Sequence, residues 1–387
     1  MSDSSRVQLR AMPETVWGTI PATALTNLRF TSENLKHAIA TTQSEEIRSD
    51  RQITDLIQTS QEGSGGFNFE MSYDNLDALF EGIFMESWSS LLTVTDTDIS
   101  AANSDNSFNS AGAGFPAFVV GQWVRVAGFT DAANNGFFKV VSRTSSKLVV
   151  TGAILADESA GDSVTIDSTQ LRNGVTEKSF VIEKEFADVG SNNFHAYTGM
   201  EVQNFNLSVA ASEIATGSLE FLGKTSQVAS ATTGTGAANT APTNSVMNAM
   251  NNIAQVREND AALPAGVFIQ ELSIALANNL RGRPAIGVVG HSSIGRGRVA
   301  VTGSLTAYFS DGAMYSRYIA NTASSISFRM TDAEGNSYIF TMPKVKFTDG
   351  EILAGGVDQD VMVSIPYQAL MDPTEQYTLQ LNKFSAA

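Results

Sequence analysis

The 387-residue chain contains no cysteine. That absence excludes disulfides, thiolate zinc sites, iron–sulfur clusters and cysteine nucleophiles together. It leaves the compartment open, since a cysteine-free chain suits a reducing cytoplasm without requiring one. Histidine is nearly as scarce: His37, His195 and His291 are the only three and lie far apart, which argues against a histidine-based triad. Charge is thin as well, at 17 % of residues against a usual share of about 25 %. So little charge is unusual for a free-standing monomer, which relies on it to stay apart from its copies. What charge exists leans acidic, to a formal net of −16, and the excess of acid is spread along the whole chain. A phosphate-gripping surface is net basic, so nucleic-acid binding is disfavoured. No run of about 18 apolar residues occurs, and with it goes a transmembrane helix. The opening MSDSSRVQLRAMPETVW lacks the basic-then-apolar plan of a secretory signal. The expectation is a protein used where it is made, or exported by another route.

What the sequence does have is alternation. Phe67, Phe69, Met71 and Tyr73 alternate with Asn68, Glu70 and Ser72. The same period-two pattern runs through Phe205–Val209, Val299–Phe309, Ile326–Met330, Tyr338–Met342, Val361–Tyr367 and Tyr377–Leu381. Each run predicts a strand with one buried face, and the polar TDAEGN after Met330 predicts a hairpin turn. The fold class is therefore mainly β. One segment departs from it: Leu76, Leu79, Phe80, Ile83, Phe84 and Trp88 fall on one helical stripe. They predict a helix of about four turns capped by Asp74, with Asp77 at the positive end of the dipole. A second, weaker helix is expected around Ser245–Ile253.

The length alone suggests two or three domains. Two stretches, 93–114 and 226–243, are rich in Thr, Ser, Asn, Ala and Gly and read as surface loops or linkers. Between the first of them and Ser168 lie FVVGQWVRVAGF, GFFKVVSRT, SKLVVTG and DSVTI, four or five short strands of a small SH3-like β-barrel. The expected organisation is one domain built from 1–92 and 169–387, interrupted by an inserted small β domain at 93–168. Flexible boundaries would let the insertion project outward, with Trp123, Phe129, Phe137 and Phe138 as its core.

A search for chemistry finds little. HExxH, GxSxG, a Walker A loop and a GxGxxG after a strand are all missing. Gly295-Arg296-Gly297-Arg298 superficially resembles a phosphate loop but heads a strand with no helix behind it, so a basic turn beside an acidic neighbour is the plainer reading. Asp96 and Asp98, or Asp358 and Asp360, lack the twelve-residue loop and closing glutamate of a calcium site. His37 alternates with apolar neighbours and reads as packing. Forty acids guarantee that some carboxylates lie close, without making a glycosidase pair. No enzyme, metal or cofactor is expected.

The most unusual stretch is Ala38–Gly66, which concentrates Glu45, Glu46, Arg48, Asp50, Arg51 and Asp55 in an otherwise charge-poor chain. A mixed-sign cluster can be a solvated loop; on this surface it reads better as a docking element for another chain. Long uncharged strands raise a matching need, since a sheet must close, cover its edges or pair with neighbours. Self-assembly answers both.

The run TNLRFTSENLKHAIATTQSEEIRSDRQITDL, followed by FNFEMSYDNLDALFEGIF, resembles the opening of the tail tube proteins of long-tailed, siphophage-type bacteriophages. The likeness continues through KSFVIEKEF, AYTGMEVQNFNLSV, GSLEFLGK, LANNLRGRPAIG, GRVAVTGSLTAYF, DAEGNSYIFTMPKVKFTDG and VDQDVMVSIPYQAL. It covers most of 1–92 and 169–387 and leaves 93–168 outside the family's common core. The resemblance implies a non-catalytic virion protein with a β-sandwich or barrel and one flanking α-helix. It further implies hexameric rings stacked into a tube around a tape measure protein, with tail terminator and distal tail proteins at the ends. Such a tube is assembled in the host cytoplasm, and DNA passes down it without specific binding. The long loop at about Thr41–Gly66 would touch the neighbouring ring, with Glu45, Glu46, Arg48, Asp50 and Arg51 as the contact residues. Two alternatives stand beside this reading: the inner tube of a contractile tail, and a receptor- or carbohydrate-binding β-sandwich of a virion that uses 93–168 as its binding module.

Overall fold

The structure is a computed structural model that describes residues 2–386 apart from 113, 152–153, 251–252, 264–266, 310–311 and 355. Its centre is a run of six antiparallel strands. Their order is Leu56–Glu70, Thr216–Leu222, Phe194–Ala210, Ile269–Ala277, Ala300–Tyr308 and Val361–Ala369. The alternation sets the register. Phe67 stands opposite Leu219, Leu219 opposite Phe205, Phe205 opposite Leu276, and Leu276 opposite Val301. All five are buried, so a one-residue slip at any pairing would turn a whole apolar row into water.

A second layer covers that apolar row. The hairpin Ser324–Thr331/Ser337–Phe347 turns at the expected polar loop, where the Asp332 carboxylate accepts from the Asn336 backbone N–H at 2.8 Å. Its far end rejoins the first layer, with Val345 opposite Ala369. Phe205 sits at the junction, its ring 6.2 Å from Phe69, 5.7 Å from Phe80 and 6.4 Å from Phe340. The helix Asp77–Phe84 closes the side of this core with Leu79, Phe80, Ile83 and Phe84. Gly82 is required there: a Cβ would stand 2.6 Å from the Phe180 ring and 2.8 Å from Val202. A smaller sheet pairs Val7–Pro13 with Phe180–Phe186, and that strand with the first half of Phe194–Ala210.

The helix is half the expected length. Asp74 does not cap it; that residue adopts φ 65° in the preceding turn, and Leu76 occupies the N-cap. Met85 stops the helix in the left-handed conformation, φ 52°, and its backbone N–H donates to the Glu81 carbonyl. Trp88 lies beyond that stop yet folds back, its indole N–H 3.1 Å from the Asp77 carbonyl. The stripe thus marks burial on both sides of a shorter helix. Ser245–Ile253 is not helical where described: Val246 and Asn248 bridge to Ser72 and Ile214, a strand starts at Ile253, and 251–252 lie outside the described residues. The second helix is instead Ala313–Ile319.

Residues 92–172 carry their own sheet, ordered Leu92–Asp96, Val164–Arg172, Trp123–Ala127, Gly136–Arg143, Lys147–Thr151, Ser107–Ser110 and Ile99–Ala102. Two of those strands and all but the first residue of a third, Leu92–Asp96, fall within 93–114, which was expected to be a loop. Their inward positions are partly polar, since Ser107 and Ser110 are buried and donate to Asp105 and Asp98. The 226–243 stretch stays largely irregular after Thr225–Ala229 and is tied down where Thr232 and Thr233 donate to buried Glu183.

This second sheet surrounds a separate apolar cluster that includes Phe108, Phe129 and Phe138. Trp123 and Phe137 do not join it. They pack on Ile339 and Phe384 of the main body, and the Trp123 indole donates to the Thr341 hydroxyl at 2.9 Å. Nor is the second junction an unpaired linker. Val164–Arg172 runs on from its pairing with Leu92–Asp96 into pairing with Gln380–Phe384, so one strand belongs to both sheets.

Candidate functional site

Two surfaces have the build of functional sites, and the first is an arm. Lys36–Gln43 pairs with the first half of Leu56–Glu70, so the expected loop at Thr41–Gly66 is a hairpin with an irregular tip only at 44–55. Nearly every residue of it is exposed, and the outer edge of Lys36–Gln43 has no strand partner among the described residues. Both faces meet solvent, which explains the missing alternation.

The five charged residues singled out in the sequence all lie on that tip, but they do not act together. Arg48 clasps Asp50 with two hydrogen bonds, at 3.0 and 2.6 Å, inside the loop itself. The guanidinium holds the Asp50 carboxyl below its usual range. Arg51 takes φ 60° and turns the chain, which returns where Ser44 N–H meets the Asp55 carbonyl at 3.0 Å. Glu45, Glu46 and Arg51 form no ion pair among the described residues. Around them stand four exposed apolar side chains, Ile47, Ile53, Leu56 and Ile57.

The second surface is the open face of the six-stranded sheet. Facing out are Asn68 and Glu70, Ser218 and Glu220, Asn204, Asn206 and Ser208, then Glu271, Ser273, Thr302 and Ser304. They bond to one another: Asn204 donates to Glu220 at 2.7 Å, Asn206 to Ser218 at 3.1 Å, and the Ser273 and Ser304 hydroxyls are 2.8 Å apart. None of the six strands contains a lysine or an arginine. The cations nearby stand on flanking strands, Lys346 opposite Gln368 and Lys36 opposite Ser64. The arrangement is a hydroxyl- and amide-rich wall carrying only negative charge.

Polar contacts join the arm to the body and hold the body beside it. His291 reaches Glu62 at 2.9 Å. Arg296 donates to Glu201 at 3.0 and 2.6 Å and also pairs with Glu177, so the GRGR turn does meet acidic neighbours. Burial pushes the Glu201 carboxyl up to about 7 despite that guanidinium. His37 lies in a strand as expected, though exposed, with Nδ1 2.9 Å from the Ser226 hydroxyl.

Among the described residues no group of three or more histidines and carboxylates is placed to hold a metal ion. No helix there is long and apolar enough to cross a membrane. The polar face was legible in principle as the outward half of each alternating run, but its composition emerges only once the six strands are neighbours. Compared with known proteins, the sequence matches a family described as phage tail tube protein over residues 4–369. No curated protein matches the chain.

Proposed function

We propose, from the premise that this chain belongs to the phage tail tube protein family, that its subunits close into hexameric rings and stack into the conduit through which the genome leaves the virion. The protein is a structural component of the phage tail, and its family is a structural one. The observation that carries the finer reading is the cation-free wall. Six adjacent strands without lysine or arginine, fronted by Glu70, Glu220 and Glu271, are what a lumen needs if DNA is to pass without sticking. Each cation on such a wall would exchange for the counterions of a phosphate and hold the strand.

Ring closure supplies the edges with partners, as closure does in any barrel. In this reading the arm reaches the neighbouring ring, and Glu45, Glu46, Arg48, Asp50 and Arg51 contribute to that contact. The tape measure protein fills the lumen during assembly in the host cytoplasm, and terminator and distal tail proteins close the two ends. The segment 93–168 is an inserted small β unit on the tube exterior, and 1–92 with 169–387 form the tube unit. The cation-free wall favours the conduit over a glycan-binding module, whose receptor site would need no such wall.

The triple variant E70K/E220K/E271K tests the wall. Phage carrying it should build tails of normal length but eject DNA slowly, with the defect relieved by added salt. Ejection at the unaltered rate and salt dependence would overturn the assignment of this face to the lumen.

A further inference from the structure

The six-stranded sheet has two unlike ends. The strands pair from Val202 at the arm end to Val209 at the other, a run of eight residues whose seven steps span ~23 Å at about 3.3 Å each. At the arm end, Ile47, Ile53, Leu56 and Ile57 are exposed, with Ile47 fully so at 103 %. Beside the arm base, the short ribbon Arg281–Arg283/Ser293–Gly295 adds exposed Ile286 and Val289 at its tip. The opposite end holds a cavity of about 420 Å³ lined by Val209, Val256, Val267, Ile269, Leu272 and Phe328. Phe268, 66 % exposed, stands at its rim. Within one subunit, then, apolar knobs project from one end of a sheet and an apolar groove opens at the other.

We infer that the groove of each subunit receives the arm tip of a second copy in the adjoining ring, with Ile47 and Ile53 entering beside Phe268. The inference rests on the tube reading above and assigns its axial contact. A family whose members build a tube requires copies to meet copies. Knob and groove at opposite ends of one element make a head-to-tail contact, and where its rotation does not close a ring such contacts extend along an axis. Burial of branched apolar side chains supplies the driving force. The loop charges, already engaged between Arg48 and Asp50, then set register around that apolar centre.

The absence of cysteine offers a clean test. Full-length protein carrying I53C and F268C, and a second pair with I47C in place of I53C, would be assembled, oxidised mildly and run without reductant. Each copy then bears one partner at each end, so a ladder of dimers, trimers and higher species is expected from tubes, and none from any single-cysteine variant. A disulfide needs Cα atoms roughly 4.4–6.8 Å apart, which makes the ladder specific to this contact. As an independent readout, F268D should raise the concentration needed for tube growth by about tenfold or more while leaving the fold intact by circular dichroism. Tubes that form normally with F268D, or that yield no ladder with either pair, would overturn this contact and leave the tube reading standing. Failure of the unaltered protein to assemble at any concentration would overturn both.

Discussion

Replacing Glu201 by glutamine should make the protein more stable at alkaline pH, although it removes one half of a buried ion pair. Glu201 is 2 % exposed, and its two oxygens accept from Arg296. Burial is the largest influence on it and disfavours the charged form; Arg296 opposes that, while Glu177 and Glu14 reinforce it. The carboxyl rises from 4.5 to about 7, which at ~1.4 kcal/mol per pH unit gives a difference of ~3 kcal/mol. A group with a raised folded-state pKa contributes stability below its unfolded value and loses it as pH climbs through the folded one. The unaltered protein should therefore lose ~3 kcal/mol between about pH 4.5 and 7 relative to E201Q, whose amide mimics the protonated acid. Urea unfolding of both proteins at half-unit steps from pH 4.5 to 8 reads the divergence directly. Parallel curves, or an E201Q protein that is the weaker one at pH 8, would refute the reasoning and show that the Arg296 pairing outweighs burial.

Three further outcomes follow from other parts of the fold. W123A should cost ~3–5 kcal/mol in urea unfolding, because Trp123 fills the joint between the two sheets; W123F should cost about 1, for the lost bond to Thr341. A loss below 1 for W123A would mean that the joint is loose. G82A should cost ~1–3 kcal/mol, since its methyl group would press on Phe180 and Val202, and an unchanged melting temperature would contradict that packing. The double replacement R48A/D50A should leave the melting temperature unchanged while lowering tube yield, read by pelleting; unchanged yield would remove these residues from the ring contact.

How much of this was legible depends on which residues carried the signal. Alternating runs such as Phe205–Val209 and Val299–Phe309 announce their strands, since half of each strand must be apolar to bury. The stripe from Leu76 to Trp88 announces burial correctly and helix length wrongly, because Met85 ends the helix while Trp88 returns to the same side by a turn. At 93–114 the inward residues are serines held by aspartates, so a genuine sheet looks like a loop in composition. At 36–62 the arm has no buried face, and strands without a core have no period to read. Trp123, which is buried, and Phe137, which is partly buried, read as core aromatics, but sequence could not say in which core. The wall of the six strands was written in their outward residues all along; it needed the strand order to become a surface. Removing 93–168 as a block would uncover Ile339 and Phe384 and cut Val164–Arg172, so its deletion is not a neutral operation on the body.

The central claim is that this chain builds a tube from copies of itself, and electron microscopy of the purified protein in negative stain across a concentration series tests it most directly. The account predicts rings of six at low concentration and hollow stacks of them as concentration rises. Monodisperse particles that never polymerise and that bind glycan would contradict it.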